Sequence, residues 1–160
     1  MKENKIQSIL ILENIRSAQN VGALFRTADA VGISKIYIVG YTPDPIDRFG
    51  RARQDIAKSA LGAEKSIPWE HVAMMSSLVS KLKKEGFQIV AIEQDKNAVD
   101  YKKVEIKKNV AFILGNEVEG VSKDALKEAD IIAEIPMQGE KESLNVSVAG
   151  GVALFRILDK

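Results

Sequence analysis

The sequence predicts an α/β protein built on a largely parallel sheet with helices on both faces. Short aliphatic runs, such as SILIL at 8–12, alternate along the chain with segments whose apolar residues recur at helical spacing. These runs are apolar throughout, which is typical of strands buried on both faces of a parallel sheet. Since no internal repeat, linker or low-complexity segment interrupts this order, we expect one domain over residues 1–160.

Composition indicates a soluble globular protein and excludes several chemistries. Hydrophobic residues make up 46% and charged residues 28% of the sequence, and the formal net charge is +1. A nucleic-acid partner would therefore need a local basic patch. Without cysteine there is no thiol nucleophile, and the lone His71 cannot form a metal site, so we predict no metal. The absence of a long apolar run and of a signal peptide predicts a cytoplasmic protein without a membrane partner.

The first half of the chain predicts two strands, a helix and a basic segment. Strands are expected at 8–12 and 35–39, with a helix between them that begins at Asn20 as N-cap. Arg26 falls off the apolar face of this helix, which consists of Val21, Leu24, Phe25, Ala28 and Val31. The loop at 41–50 contains proline and glycine. It leads into the densest arginine cluster of the sequence, Arg48, Arg51 and Arg53, followed by Lys58.

The second half predicts further strands and two longer helices. The strands are expected at 64–67, 87–92, 110–114 and 131–135, and the helices at 70–85 and from about 145 to 157. Parallel strands end at one edge of a sheet, where the following helix presents unpaired N–H groups. The polar loops after 110–114 and 131–135 are therefore predicted to bind a ligand. The first strand-to-helix turn lacks GxGxxG, which disfavours an ordinary dinucleotide-binding fold.

The loop GNEVEG at 115–120 is the first candidate binding segment. Gly115 and Gly120 permit close backbone approach or positive φ, while the side chains of Asn116 and Glu117 can reach a ligand. The alternative is a tight turn before a helix that Ser122 caps.

The segment ESLNVS at 142–147 is the second candidate. Ser143 and Asn145 are two residues apart and can point the same way while Leu144 enters the core, although Asn145 can also be a simple N-cap. Gly150 and Gly151 follow in the helix, where glycine is unfavourable. We therefore expect close packing against another helix, of this subunit or of a second one.

Two further residues have open interpretations. Small residues, Gly22 and Ala30, flank Arg26 along one stripe of its helix, so this long cation can meet a phosphate or a partner chain closely. The alternative is a solvated helix residue. His71 has no evident catalytic partner and is predicted to be a helix-start or surface residue.

Three motifs stand in a fixed order along residues 9–157. The first is Asn20-x-Gly22-x-x-x-Arg26-Thr-Ala, the second is Leu114-Gly115-Asn116-Glu117-x-x-Gly120, and the third is Ile135-Pro136-Met137 followed by Ser143-Leu144-Asn145-Val146-Ser147. Together they resemble the SpoU–TrmH family of the SPOUT class, RNA ribose 2′-O-methyltransferases that use S-adenosyl-L-methionine.

The resemblance implies the architecture and the site. It implies an α/β/α sandwich with a C-terminal deep trefoil knot, a homodimer that completes each active site, and tRNA or rRNA as the RNA partner. By motif position the cofactor would lie beside Ile92, Glu93, Gln94, Leu114, Gly115, Asn116, Gly120, Ile135, Met137 and Leu144. The catalytic and RNA-facing set would be Asn20, Arg26, Glu117, Ser143 and Asn145.

The chain departs from the family pattern in three respects. Val118 stands where a small residue is frequent, and Gly150-Gly151 stands where alanines are more usual. We also expect no separate N-terminal RNA-binding domain of the kind that some relatives carry, and therefore predict the RNA contact at Arg48, Arg51, Arg53 and Lys58. The alternative for these four cations is a solvated helix face.

Two other functions compete with the ribose methyltransferase. The first is a non-catalytic RNA-binding or chaperone protein that retained the knotted domain, and the second is a methyltransferase acting on a base nitrogen. The intact set of Arg26, Glu117, Ser143 and Asn145 disfavours the first, because binding alone would not require it. The motifs resemble the ribose-methylating branch, which disfavours the second.

Overall fold

A seven-stranded sheet with exclusively parallel pairings forms the centre of the computed structural model, which describes residues 4–160. The strands are β1 (Ser8–Glu13), β2 (Lys35–Val39), β3 (Trp69–Val72), β4 (Gln88–Ile92), β5 (Val99–Asp100), β6 (Val110–Leu114) and β7 (Ile131–Glu134). Their order across the sheet is β3-β2-β1-β6-β4-β7-β5. The predicted parallel sheet is thus confirmed.

Helices cover both faces of the sheet. They are α1 (Ala18–Val31), α2 (Gln54–Ala60), α3 (Ala63–Ser66), α4 (Met75–Lys84), α5 (Lys123–Glu128) and α6 (Val146–Ile157), with a 3₁₀ turn at Tyr101–Lys103. Alternate strand residues face opposite sides. Leu10 and Phe112 pack in one core with α1, α2, α3 and α6, whereas Ile11 and Ile113 pack in a second core with α4 and α5. This arrangement is the predicted three-layer sandwich, while the trefoil knot stays a prediction.

Helix α1 begins earlier than the sequence predicted. All five predicted apolar residues of α1 are buried and Arg26 is exposed. The N-cap, however, is Ser17, whose Oγ accepts a hydrogen bond from the Asn20 N–H at 3.2 Å. The prediction of Asn20 as N-cap is therefore wrong. Because Ser17 supplies the cap, the Asn20 side chain is available for contacts outside the helix.

The segment from 62 to 85 also differs from the prediction. The predicted strand at 64–67 is helix α3, which follows Gly62 at φ 93° and ends before Pro68. The predicted helix at 70–85 begins only at Met75, because 69–72 forms β3 at the edge of the sheet. An edge strand with an exposed middle carries no apolar run, and Val72 matched the helical spacing by chance.

Two glycines allow neighbouring helices to approach α1 closely. A Cβ on Gly22 would overlap Ser59 Oγ and the Ile56 carbonyl oxygen of α2. A Cβ on Gly150 of α6 would lie 2.7 Å from Leu24 Cδ2 of α1 and 2.9 Å from Leu114 Cδ1. The close packing predicted for Gly150 is thus confirmed, and its partner helix is α1 of the same chain.

Candidate active site

A cleft of about 200 Å³ opens at the carboxyl ends of β4, β6 and β7, which are neighbours in the sheet. All ten residues predicted to bind the cofactor line it: Ile92, Glu93, Gln94, Leu114, Gly115, Asn116, Gly120, Ile135, Met137 and Leu144. Leu144 does not enter the core as expected, because it lies on the cleft and 38% of it remains exposed. Val146 and Ala149 also line the cleft. Sequence reasoning missed them, although their spacing of three places them on one face of α6.

Gly115 and Gly120 determine the path of the loop after β6. Asn116 and Gly120 form an antiparallel bridge, and a Cβ on Gly115 would overlap the backbone of Gly120 and Val121. Gly120 has φ 73°, and a Cβ there would overlap the Glu93 carboxylate. Both proposed reasons for glycine, close approach and positive φ, are therefore realised in this loop.

The Asn116 side chain is buried and holds the loop together. Its Oδ1 accepts hydrogen bonds from the N–H groups of Val118 and Glu119, each at 2.8 Å. Its Nδ2 donates to the Asn14 carbonyl oxygen and to Tyr41 Oη, each at 2.9 Å. Asn116 thus ties the loop to the segments that follow β1 and β2.

Two carboxylates fix the far end of the same loop. Glu93 Oε2 accepts a hydrogen bond from the Val121 N–H at 2.8 Å. Glu13, which is only 3% exposed, accepts from both the N–H and the Oγ of Ser122 at 2.8 Å. Sequence reasoning missed Glu13. A carboxylate at the end of a buried strand is the signal that could have found it, because buried charges need nearby donors.

Glu117 joins the loop to the start of α1. Its carboxylate accepts from the N–H groups of Arg16 and Ser17, both at 3.0 Å, and from Asn20 Nδ2 at 3.2 Å. Partial burial opposes ionisation, but the hydrogen bonds from Arg16, Ser17 and Asn20 outweigh it and hold the pKa of Glu117 below its ordinary value. Glu117 is therefore an anion at neutral pH.

Asn20 connects Glu117 to Asn145. Asn145 Oδ1 accepts from the Ser147 N–H at 2.9 Å, so its Nδ2 is the atom that donates to Asn20 Oδ1 at 3.2 Å. The Asn20 Nδ2 then faces Glu117. Backbone donors at both ends thus fix the orientation of both amides. Asn145 is the N-cap of α6 and also a member of this chain, so the two readings of Asn145 are compatible.

The other two predicted catalytic residues lie outside this hydrogen-bonded chain. Ser143 lines the cleft and is exposed. Arg26 is exposed on α1, six residues and roughly 9 Å along the helix axis from Asn20. Within residues 4–160 its guanidinium has no hydrogen bond and no ion pair, so it is free to meet a ligand.

Two of the four predicted RNA-binding cations form ion pairs within the chain. Arg51 pairs with Asp47 at 3.0 Å, and Arg53 pairs with Asp55 at 2.6 Å. Arg48 and Lys58 form no ion pair with any other described residue and are exposed. The cluster is therefore less basic than its sequence indicates.

His71 lies on the surface, as one of its two predicted positions required, but in edge strand β3 and not at the start of a helix. Its Nδ1 lies 2.5 Å from Asp44 Oδ1, and its Nε2 lies 2.8 Å from the Gly40 carbonyl oxygen. The imidazole ring thus connects the loop after β2 to the edge strand β3. Over the part of the chain that the structure describes, no cluster of three acidic or histidine side chains could hold a metal, and no helix is long and apolar enough to cross a membrane.

Comparison with known proteins places this geometry in a family. The model of the SpoU rRNA Methylase family matches residues 7–155. A curated relative from Staphylococcus aureus (strain MSSA476), named as a TrmH family tRNA/rRNA methyltransferase, is 31% identical over 97% of this chain and 60% of its own length. The chain thus spans about three fifths of that relative.

Solved structures share the fold. The AdoMet-bound rRNA methyltransferase from Sinorhizobium meliloti matches 94% of this chain and 55% of its own, with a TM-score of 0.85 and 31% identity. A structure described as an RNA 2′-O ribose methyltransferase matches 99% of this chain and 60% of its own, with a TM-score of 0.81 and 26% identity. The extent of the family match, together with this fold, shows that the chain belongs to the SpoU rRNA Methylase family.

Proposed function

We propose that this chain is an S-adenosyl-L-methionine-dependent RNA ribose 2′-O-methyltransferase that acts on tRNA or rRNA. The observation that carries the proposal is the hydrogen-bonded chain of Glu117, Asn20 and Asn145. It joins all three sequence motifs beside one cleft, which Glu117 lines. The family membership supports an RNA methyltransferase, and the ribose target is supported by the name of one structural neighbour.

The residues that line the cleft suit S-adenosyl-L-methionine in polarity and charge. Apolar side chains of Leu114, Ile135, Met137, Leu144 and Val146 can cover the adenine, and the Gly115 backbone leaves room for close approach. The carboxylates of Glu93, Glu117 and Glu119 also line the cleft and suit a ligand that carries a sulfonium and an ammonium. A structural neighbour with AdoMet bound supports this cofactor.

The bound cofactor would supply an activated methyl group to the ribose oxygen. The protein must then hold that oxygen in line and allow its proton to leave. Arg26 is a poor base because a guanidinium stays protonated at any ordinary pH. We assign Arg26 to the phosphate beside the target ribose, so that it orients the hydroxyl. The proton passes to that phosphate or to neighbouring polar groups. Ser143, which lines the cleft, can hydrogen-bond to the ribose hydroxyl but, as a neutral alcohol, does not keep the proton.

A homodimer through α6 is part of the proposal. Val148, Val152 and Phe155 recur at helical spacing on α6 and are 50%, 38% and 37% exposed. These three side chains form an apolar stripe on the helix that Asn145 caps. A second copy of this chain would bury the stripe and bring its own residues close to Asn145 and Asn20. The deep knot that the family resemblance implies belongs to the same proposal.

Methyl transfer by an Arg26→Ala variant tests this assignment. Incubation with radiolabelled cofactor and total RNA that lacks its own modifications should label RNA with the wild type, and mapping should find a 2′-O-methyl ribose. Arg26→Ala should reduce label at least about 100-fold, because positioning carries much of the catalysis. It should leave cofactor binding, measured by calorimetry, within about twofold. Lys84→Ala, which removes an exposed cation from α4 on the opposite face, is the matched control.

Several results would contradict the proposal. Loss of cofactor binding in Arg26→Ala would overturn the assignment to the phosphate. A wild type that binds RNA but neither binds cofactor nor transfers label would favour the non-catalytic RNA-binding protein. Label at a base nitrogen would identify the other class of methyltransferase.

A further inference from the structure

An exposed phenylalanine occupies the tip of a built turn between β2 and α2. Phe49 is 66% exposed. The turn is closed because the Asp47 N–H donates to the Arg51 carbonyl oxygen at 2.8 Å, and Asp47 Oδ1 accepts from the N–H groups of Phe49 and Arg51. Gly50 supplies the positive φ of 78° that the turn requires. At least three hydrogen bonds of Asp47 thus fix the backbone of the turn, and the turn presents the Phe49 ring to solvent.

Two arginines lie over the ring, and they differ in how they are held. The guanidinium carbons of Arg48 and Arg51 are 4.8 and 5.0 Å from the ring centroid of Phe49. Arg51 is fixed, because its Nε donates to Asp47 Oδ2 at 3.0 Å. Arg48 has no side-chain hydrogen bond or ion pair to any residue within 4–160. Only Arg48 can leave the ring without breaking another contact.

The turn belongs to a segment that borders the candidate active site. The loop begins at Tyr41, whose hydroxyl accepts from Asn116 of the cleft. It ends in α2, which packs on α1 at Gly22, four residues before Arg26. The segment that carries Phe49 is thus tied at one end to the cleft and at the other end to the helix that carries Arg26.

We propose that Phe49 stacks on one unpaired base of the RNA substrate, and that Arg48 moves from the ring to a neighbouring phosphate when the base binds. Aromatic rings stack on the face of any base and Arg neutralises phosphate, which together make a platform for single strands. Bases of an A-form duplex are already stacked on each other. The substrate is therefore single-stranded at this position, as in a loop. This inference rests on the proposed function, since it takes RNA as the ligand.

Binding of defined RNA probes tests the stacking. The probes are a labelled single strand of about 12 nucleotides and the same strand in a blunt duplex, measured by fluorescence anisotropy. Phe49→Ala should weaken binding of the single strand about tenfold and leave duplex binding unchanged, whereas Phe49→Trp should retain the affinity. Met74→Ala removes an apolar side chain of similar exposure, 63%, at the start of α4, and is the matched control.

The role of Arg48 has its own readout. Arg48→Gln should lower the slope of log affinity against log salt by about 0.7 for the single strand, because one phosphate contact is lost. Measurements between roughly 50 and 200 mM salt resolve this slope. An unchanged slope would contradict the movement of Arg48 to phosphate.

The outcomes separate this inference from the proposed function. Equal single-strand affinity of the wild type and Phe49→Ala, or an equal loss in Met74→Ala, would overturn the stacking even in an active methyltransferase. The proposed function would be overturned if the wild type neither bound cofactor nor transferred methyl groups. The stacking would still hold in that case if Phe49→Ala bound the single strand more weakly than the wild type.

Discussion

At the scale of single residues, the Glu117 carboxylate connects the cleft to the start of α1. It accepts hydrogen bonds from two backbone N–H groups and from Asn20, and these hydrogen bonds outweigh partial burial in lowering its pKa. A group whose pKa is lower in the folded state stabilises that state when it is ionised. The stabilisation is complete above the ordinary pKa near 4.5 and is lost as the pH falls through the folded value.

The variant Glu117→Gln tests this interpretation. A neutral amide keeps one acceptor oxygen and turns an NH₂ group toward the donors of Arg16 or Ser17, so we expect a loss of about 1 kcal/mol in the free energy of unfolding at pH 7. Urea denaturation measures the free energy of unfolding of the wild type and of the variant. The difference between them should be the same at pH 6 as at pH 7, and smaller below pH 4. A difference that does not change with pH would contradict the ionised hydrogen-bond acceptor.

At the scale of secondary structure, α1 is packed between α2 and α6 and carries both Asn20 and Arg26. Its contact with α2 depends on Gly22, where a Cβ would meet backbone atoms of α2 that cannot move aside. Its contact with α6 is looser at Gly151, where a Cβ would lie 3.7 Å from Thr27 Cγ2. Glycine is therefore required at position 22, and at position 150 for the contact with α6, but not at position 151.

Alanine at positions 22 and 151 should have opposite effects. Gly22→Ala gains about 1 kcal/mol of helix propensity but must separate α1 from α2, so we expect a net loss of about 1–3 kcal/mol in the free energy of unfolding. Gly151→Ala gains the same propensity without a clash and should be neutral or stabilising by up to about 1 kcal/mol. Chemical denaturation of both variants measures this. Stabilisation by both would show that α1 and α2 can move apart at no cost.

At the scale of the whole molecule, the apolar stripe of Val148, Val152 and Phe155 is the surface that the proposed homodimer would bury. Exposed apolar residues scattered singly need no partner, but three on one helix face beside the candidate site favour an interface. A homodimer with closed twofold symmetry would place the same stripe of both subunits in contact.

The variant Val152→Glu tests the interface. A carboxylate in the centre of the stripe would be buried without a partner in the dimer, so the variant should be monomeric. Light scattering after gel filtration should give the mass of one chain for the variant and of two chains for the wild type. Methyl transfer should fall with dimerisation if both subunits complete each site. Val99→Glu, at an equally apolar exposed position on edge strand β5, should remain dimeric. A Val152→Glu variant that stays dimeric would place the interface elsewhere.

Most buried strands and their order along the chain were predictable from sequence, and so were ten residues that line the cleft. Their role in holding the cofactor stays a prediction. The strands at 35–39 and 110–114 are as predicted. A parallel strand that is buried on both faces needs apolar residues along most of its length, and this run is visible in the sequence. The ten residues of the cleft come together because parallel strands end at one edge, and the motif positions identified them. The strand at 69–72 was missed, since an edge position leaves no such run.

Local patterns in the sequence were enough to predict the fold class and the apolar face of α1, because burial and strand ends leave such patterns. Ten residues of the cleft were predicted from the motif positions, whereas Val146 and Ala149 were missed. The contacts of the polar residues, in contrast, became known only from the folded chain. Ser17 caps α1 and releases Asn20 to Glu117 and Asn145, which are 97 and 125 residues away along the chain. Asp47 and Asp55 neutralise two of the predicted RNA-binding arginines. Hydrogen bonds and ion pairs depend on atoms brought together from distant segments, and no local pattern encodes that proximity.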